Sequence, residues 1–419
     1  MFFRRALVVL IILCPISIYA GAFQLWEESA NDTGDYHAGA AAEGRDASDI
    51  FYNPALMTRF DKPEISVGGV LIALGVNYTG SVSVNGNPQL PSVNQVAGDT
   101  LNFVPNFHYV QPLSSRWTFA FEETTPFGLS TNYPNTPNIN YLATETQLQT
   151  FNLNPSLAYK INQIISLGVG FDAMYGSAVY DDGLGNFATL TDDLSGWGYG
   201  YNAGILAQFS PRTRAGLSYR SAITIPAKGP SAYSDAFGNH YNSTASTNFP
   251  LPPTTMFSIF QDMSSRFSLM GSVFYTQWSV FKELIISNIA FSGNPITVAT
   301  NENYCNTWNY SIGGLYKITP TISIEAGGGH DETPTQIPYR DIRLPDSSRY
   351  AASIGVNIQP SPTFGWSMGW THFFTGNTPV NNSASNNTSQ SSSSAANIVG
   401  IGTVSANVNV LGMQLNWVI

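Results

Sequence analysis

Catalysis in this chain would have to start from its histidines, His37, His108, His240, His330 and His372. His330 stands beside Asp331, the one pairing that suggests a base with an orienting carboxylate. Covalent catalysis needs a nucleophile within hydrogen-bond reach of such a base. No serine motif accompanies the pair, and neighbouring strand residues point to opposite faces. The sequence holds no CxxC, HExxH or phosphate-loop pattern. The expectation is a protein with no catalysis, metal or cofactor.

What remains is binding chemistry. Lys317 falls opposite the apolar Ile312, Tyr316 and Ile318, so it should point away from their face. Arg220 and Arg349 lie near strand ends, and Arg340 lies in a long loop. A basic residue facing lipid at mid-membrane would cost roughly 2–4 kcal/mol, so inward or interfacial placement is expected. Carboxylates such as Glu325 and Asp346 are the simplest partners for them. Two backbone features could serve a moving part. Asn53-Pro54-Ala55 is a turn initiator. Pro126 cannot donate a ladder hydrogen bond and Gly128 weakens a strand, so together they can kink or end it.

Strands must position these residues. Ile322, Ile324 and Ala326 share a face; so do Tyr350, Ala352, Ile354, Val356 and Ile358, and Leu411, Met413, Leu415, Trp417 and Ile419. Period two marks sheets with one apolar face. About fourteen strands are expected, near 64–76, 100–110, 116–129, 150–160, 165–179, 197–209, 212–225, 253–262, 266–287, 305–318, 321–331, 348–359, 363–374 and 401–419. Links after even strands are short and links after odd strands are long. That asymmetry is the periplasmic and extracellular pattern of a transmembrane barrel. A soluble sandwich would show the same alternation with its apolar face inward. The Ser/Asn-rich stretch 381–397 cannot bury enough apolar surface to offset its ordering entropy, so disorder is expected there.

Composition narrows the class. Residues 1–20 read as a secretory leader, with Arg4 and Arg5 ahead of an apolar run too short to span a bilayer. Its removal takes Lys+Arg from 17 to 15 against 27 Asp+Glu, a charge of −12 that argues against nucleic acid as a partner. Cys305 alone would remain, so no intrachain disulfide is possible; a buried or loop position is expected for it. Charged residues make up 11%, well under the roughly 25% of soluble domains, and aromatics 13%. The segment 21–63 is neither leader nor strand-like. A plug held inside a 64–419 barrel accounts for it, and a plugged barrel suggests transport of something an open pore would not carry.

The N-terminus GAFQLWEESA, the NPALMTRFDKP run at Asn53–Pro63, LNPSLAYKIN at Leu153–Asn162, Gly198–Ser221, YTQWSVFKEL at Tyr275–Leu284 and LPDSSRY at Leu344–Tyr350 together resemble the FadL family of outer-membrane transporters. The resemblance implies an all-β, fourteen-stranded antiparallel barrel with an N-terminal hatch in its lumen. It implies passive uptake of long-chain fatty acids or similar hydrophobic molecules across the outer membrane of a Gram-negative bacterium. Aromatic-hydrocarbon channels belong to the same family. Ligand-binding positions carried over or suggested are Phe23, Leu25, Lys317, Arg340 and Arg349; gating positions are Asn53, Pro54, Ala55, Pro126 and Gly128. Release is expected sideways into outer-membrane lipid, from a monomer. Ser177 stands where the fatty-acid members carry a basic residue, which points to a less polar ligand. A surface receptor or adhesin and a general porin are the competing non-enzymatic functions.

Overall fold

A computed structural model of the chain describes residues 21–419; the leader expected over 1–20 lies outside the described residues. The architecture is a closed antiparallel barrel of 14 strands. The last strand, Ile398–Val418, closes on the first, Glu64–Val84, in an unbroken register from Glu64↔Val418 to Val84↔Ile398. The first and last strands thus leave no free edge between them, which is what lipid demands of a sheet.

The alternation is apolar-outward. Val169, Ile312 and Met413 are more than half exposed on the outer face, whereas Asn152, Asp172, Ser258 and Glu325 are buried in the lumen. This excludes the sandwich alternative. Aromatic pairs sit near strand ends on the outside: Trp117–Tyr159 and Tyr275–Trp308 have ring centroids 4.6 Å apart.

Several elements depart from the expected boundaries. The strand expected over 212–225 stops at Arg220, and a separate hairpin, Ile223–Asp235 with His240–Leu251, follows. The strand expected over 266–287 stops at Thr276; Glu283–Ile289 pairs instead with Ile296–Asn301. The apolar alternation is short in both: Ile223, Ile225 and Ala227 share a buried face that gives way to Gly229 and Ser231, and Leu284 and Ile286 give way to Asn288. The Ser/Asn stretch is not disordered. Ser392 N donates to Thr297 O (2.8 Å) and Asn387 N to Ala299 O (3.0 Å), covering the free edge of Ile296–Asn301. Cys305 is exposed, in a loop.

The lumen is filled by the segment 21–63. Ser29 caps the helix Ala30–Asp35 by accepting from Asp32 N. Asp46 caps the 3-10 turn Ala47–Phe51 through Ser48 N, and Asn53 caps Pro54–Arg59 through Ala55 N, with Pro54 in the first position where a missing N–H costs nothing. Barrel hydroxyls meet the segment's backbone: Gly39 N donates to Ser272 Oγ (2.9 Å) and Ala41 N to Ser258 Oγ (3.1 Å). Arg214 donates to the carbonyls of Ala42 and Glu43. The strand at Gly216 passes so close that a Cβ there would land on the Ala41 carbonyl oxygen.

Two outcomes are expected from this seat. Gly216→Val should unseat the hatch while the barrel still assembles, raising single-channel conductance in planar bilayers. A channel as closed as the parent would show that the close approach does not matter.

The second concerns pH. Burial raises the carboxyls of Glu27, Glu28, Asp32 (to about 7), Asp35 and Asp49. Between about pH 4 and 7 the seated hatch therefore holds protons that the unseated one has released, so seating weakens as pH rises. His37, buried and lowered to about 3, works the other way, one group against five. Hydrogen-exchange protection of the Ala30–Asp35 amides, corrected for intrinsic rates, should fall from pH 5 to pH 8. Protection that rises instead would mean the raised carboxyls do not govern the seat.

Candidate functional site

The third strand is where the wall is incomplete. Trp117–Thr124 pairs with Thr100–Pro112 only from Phe107↔Glu123 to Pro112↔Thr118. Above Glu123 the chain passes through Thr125-Pro126-Phe127 and resumes as Gly128–Asn132, paired to Glu145–Lys160 alone. The upper part of Thr100–Pro112 pairs only with Glu64–Val84. Leu101 to Asn106 thus face the kinked strand across a slot without ladder hydrogen bonds. The expected kink at Pro126 and Gly128 is where the structure breaks the sheet.

The hatch closes that slot from inside. Leu25 N donates to Pro126 O (2.9 Å) and Gly128 N to Phe23 O (2.9 Å), while Gln24 bridges to Phe127. Thr125 N donates to Glu28 Oε2 (3.2 Å), and Phe127 N to Thr150 Oγ1 (3.0 Å). Three hatch residues act as a short strand against the kink. A Cβ at Gly128 would press on Leu25 Cδ1 at 2.9 Å.

Phe23 is 3% exposed and is enclosed by aromatic rings. Its centroid lies 4.7 Å from Trp278, 5.7 Å from Phe249, 5.9 Å from Phe281 and 6.1 Å from Phe127. Ile223, Ile225, Leu251 and Tyr304 belong to the same buried cluster. On the other side of the Phe23–Leu25 segment is a cavity of about 320 Å³. Leu25, Leu74, Val104 and Leu148 line it, as do Leu101 and Phe103, 66% and 63% exposed on the outer face. The cavity therefore reaches the lipid side of the wall through the slot.

Polar contacts anchor the hatch N-terminus. Gly21 N donates to Asp331 Oδ2 (3.1 Å) and Ala22 N to Asp346 Oδ2 (2.8 Å). Burial raises Asp346 to about 7, offset in part by Arg349 and the hydroxyl of Thr333. Gln24 Nε2 donates to Thr254 Oγ1 (3.1 Å), and its Oε1 accepts from Thr276 Oγ1 (3.1 Å).

The expected site residues are only partly brought together. Phe23, Leu25, Pro126, Gly128 and Arg349 converge on the slot and its cavity. Asn53 sits deeper, holding the hatch to the wall: its Nδ2 donates to Ala41 O (2.8 Å) and Ile205 O (3.1 Å), and a Cβ at Gly168 would land on the Pro54–Ala55 backbone. Lys317 does not join them. It is exposed in a separate opening of about 480 Å³ with Arg45, Arg59 and Arg214, beyond the hatch at the periplasmic end. Arg340 is 2% exposed and staples a loop, donating to Thr335 Oγ1 (2.9 Å), Thr335 O (2.9 Å) and Pro379 O (3.1 Å). It does not line the cavity. Ser177 shares the outward face with Phe171 and Tyr175, so its side chain is not part of the chamber wall. His330 and Asp331 point to opposite sides of their strand; the Asp331 carboxylate holds Gly21 and Arg349 rather than an imidazole.

Below the slot the lumen turns polar. Arg220 pairs with Asp172, lies 3.6 Å from Glu122 and donates to Phe51 O (3.2 Å). Arg45 pairs with Glu43 (2.7 Å), Asp35 (3.4 Å) and Glu325. Among the described residues no His/Cys/Asp/Glu group could hold a metal ion.

The family model described as "Outer membrane protein transport protein (OMPP1/FadL/TodX)" matches residues 12–418. The long-chain fatty acid transport protein of Escherichia coli K12 is 27% identical over 404 residues, covering 85% of this chain and 88% of that one. Outer membrane protein P1 of Haemophilus influenzae is 25% identical over 442 residues, covering 95% of each. A Pseudomonas aeruginosa FadL homologue superposes with a TM-score of 0.85 at 22% identity, covering 95% of this chain and 99% of the other. The Ralstonia pickettii toluene transporter TbuX gives 0.70 at 14%, covering 94% and 100%. With its barrel, luminal hatch and interrupted third strand, and with a match along nearly its whole length, this chain belongs to the outer-membrane transport protein family of OMPP1, FadL and TodX.

Proposed function

We propose that the protein is an outer-membrane channel for passive uptake of long-chain fatty acids or similar hydrophobic molecules, released sideways into outer-membrane lipid. The observation that carries this is the cavity behind an unpaired stretch of wall, its slot side lined by Leu25, Leu74, Leu101, Phe103 and Leu148 and with Phe23 seated beside it. The relatives' names, which include fatty-acid and toluene transporters, support the same substrate range.

The direction of release follows from solvation. An alkyl chain moving down the lumen would have to displace a hatch packed with Asp32, Asp35, Glu43, Asp46 and Asp49. Moving sideways, it passes Leu101 and Phe103 into lipid. Each CH₂ kept out of a polar environment is worth about 0.8 kcal/mol, so a long chain favours the slot by a wide margin. A general porin does not fit a lumen filled in this way. The relatives are named as transporters, which supports a channel rather than an enzyme. It works as a monomer, because the barrel closes on itself and the slot is complete within one chain. The leader 1–20 is removed on export, leaving 21–63 as hatch and 64–419 as barrel.

In this reading Phe23 and Leu25 bind and yield to ligand, Arg349 fixes the cavity floor, and Pro126 and Gly128 form the gate. Asn53, Pro54 and Ala55 hold the hatch against the wall. Asn53→Ala removes both bonds to carbonyls and the cap on Ala55, leaving buried acceptors unmet at about 1–3 kcal/mol.

A porin-poor host expressing the chain should take up labelled oleate, with Asn53→Ala changing the rate at least several-fold at equal barrel levels. Uptake of toluene alone would assign a hydrocarbon channel. Uptake of neither, with the barrel assembled, would overturn the transport reading in favour of a surface receptor.

A further inference from the structure

We infer that the cavity beside the slot selects ligands with an uncharged head, such as a long-chain alcohol, over the ionised acid of equal length, and that Asp346 sets this preference. This rests on the channel reading above and narrows its substrate class.

Two charged side chains line the cavity, Asp346 and Arg349. The guanidinium of Arg349 is already matched. Its Nε lies 3.2 Å and its NH2 3.1 Å from Asp331 Oδ2, and the group stacks over Phe373 at 4.0 Å from the ring centre. Buried Glu27 adds a further carboxylate to the field of Arg349 and Asp331. Asp346 carries no matching cation of its own; it is held by Ala22 N and the hydroxyl of Thr333. The arginines that border the aromatic chamber are matched as well: Arg220 pairs with Asp172 beside Glu122, and Arg343 pairs with Asp182 and stacks over Tyr180. At this end of the cavity one cation thus stands against at least two carboxylates.

An incoming carboxylate would meet Asp346 and no unmatched positive charge. A buried ion without a partner is strongly disfavoured, and two carboxylates in one site cannot both stay ionised at ordinary cost. A hydroxyl has no such conflict. It can donate to Asp346 and accept from the adjacent Ser347, which also lines the cavity. Its chain lies along Leu25, Leu148 and Phe103 just as that of the acid would.

The test is equilibrium binding of labelled 1-hexadecanol and palmitate to the full barrel in lipid nanodiscs, at about pH 8.5, well above the carboxyl range. Empty nanodiscs supply the partition background. The alcohol should bind about tenfold more tightly than the acid, the scale of one unpaired polar head. In Asp346→Asn, which keeps an oxygen for Ala22 N, that ratio should fall toward one. General loosening of the hatch would shift both ligands together and leave the ratio unchanged. Palmitate binding as tightly as the alcohol, or a ratio unmoved in Asp346→Asn, overturns the preference and leaves the channel standing. Binding of neither ligand overturns both.

Discussion

In lipid, every backbone N–H and C=O must be met within the protein, and over Thr125–Gly128 the barrel wall meets its own only at Phe127, through Thr150. Pro126 has no N–H to give, and the strand Thr100–Pro112 has turned away. The N-terminal residues of the hatch supply the missing partners, through Leu25 N, Phe23 O and the Glu28 carboxylate. The rest of the structure depends on this substitution. Without it the slot would leave unpaired backbone at membrane depth, and the barrel would have to close it or flood it.

A second constraint sets where the substitution can be made. The hatch carries many acids, so it needs a polar, hydroxyl-lined lumen. The barrel provides this with inward Ser258, Ser272 and Ser166 and with Arg214 and Arg220. Such a lumen is hostile to a hydrocarbon. Below, apolar contacts are small clusters between hatch and wall; the large aromatic cluster lies at the upper end, where Phe23 meets Trp278, Phe281 and Phe249. Polar packing below and aromatic packing above meet at residues 23–28. An apolar ligand reaching that boundary has one exit that stays apolar, and it lies through the wall.

Much of this was legible in the residues. Alternation with an apolar outer face identified most of the barrel strands, because lipid on one side and a polar lumen on the other enforce period two. Pro126 and Gly128 marked the kink because their backbone limits are local. Asn53-Pro54 marked a helical turn for the same reason. The extracellular hairpins were harder. Ile223–Leu251 and Glu283–Asn301 turn one face to the aromatic cluster, but their apolar alternation is short and did not separate them from the barrel strands they follow. Phe249, in the first of them, and Phe281, just ahead of the second, complete the ring around Phe23. Placement of the bases was hardest. Lys317, Arg340 and Arg349 look alike in sequence, yet one faces the periplasmic opening, one staples a loop and one lines the cavity. Which it is depends on long-range partners such as Asp331 and Thr335.

In the proposed channel, the pairing of residues 23–25 with 126–128 would make ligand occupancy and wall continuity one equilibrium. A ligand that enters the aromatic chamber must displace the Phe23 ring, whose burial is worth roughly 1.5–3 kcal/mol. The Phe23 carbonyl is the acceptor for Gly128 N, and Leu25 N is the donor for Pro126 O. Moving the ring therefore strains the bonds that seal the slot. Linkage runs both ways: whatever loosens the seal makes Phe23 easier to displace by the same free energy. No energy source is needed for such a gate. The ligand's own transfer from a polar surround to an apolar one supplies the drive, and the hatch returns when the chamber empties, because its amides regain their partners on Asp331 and Asp346.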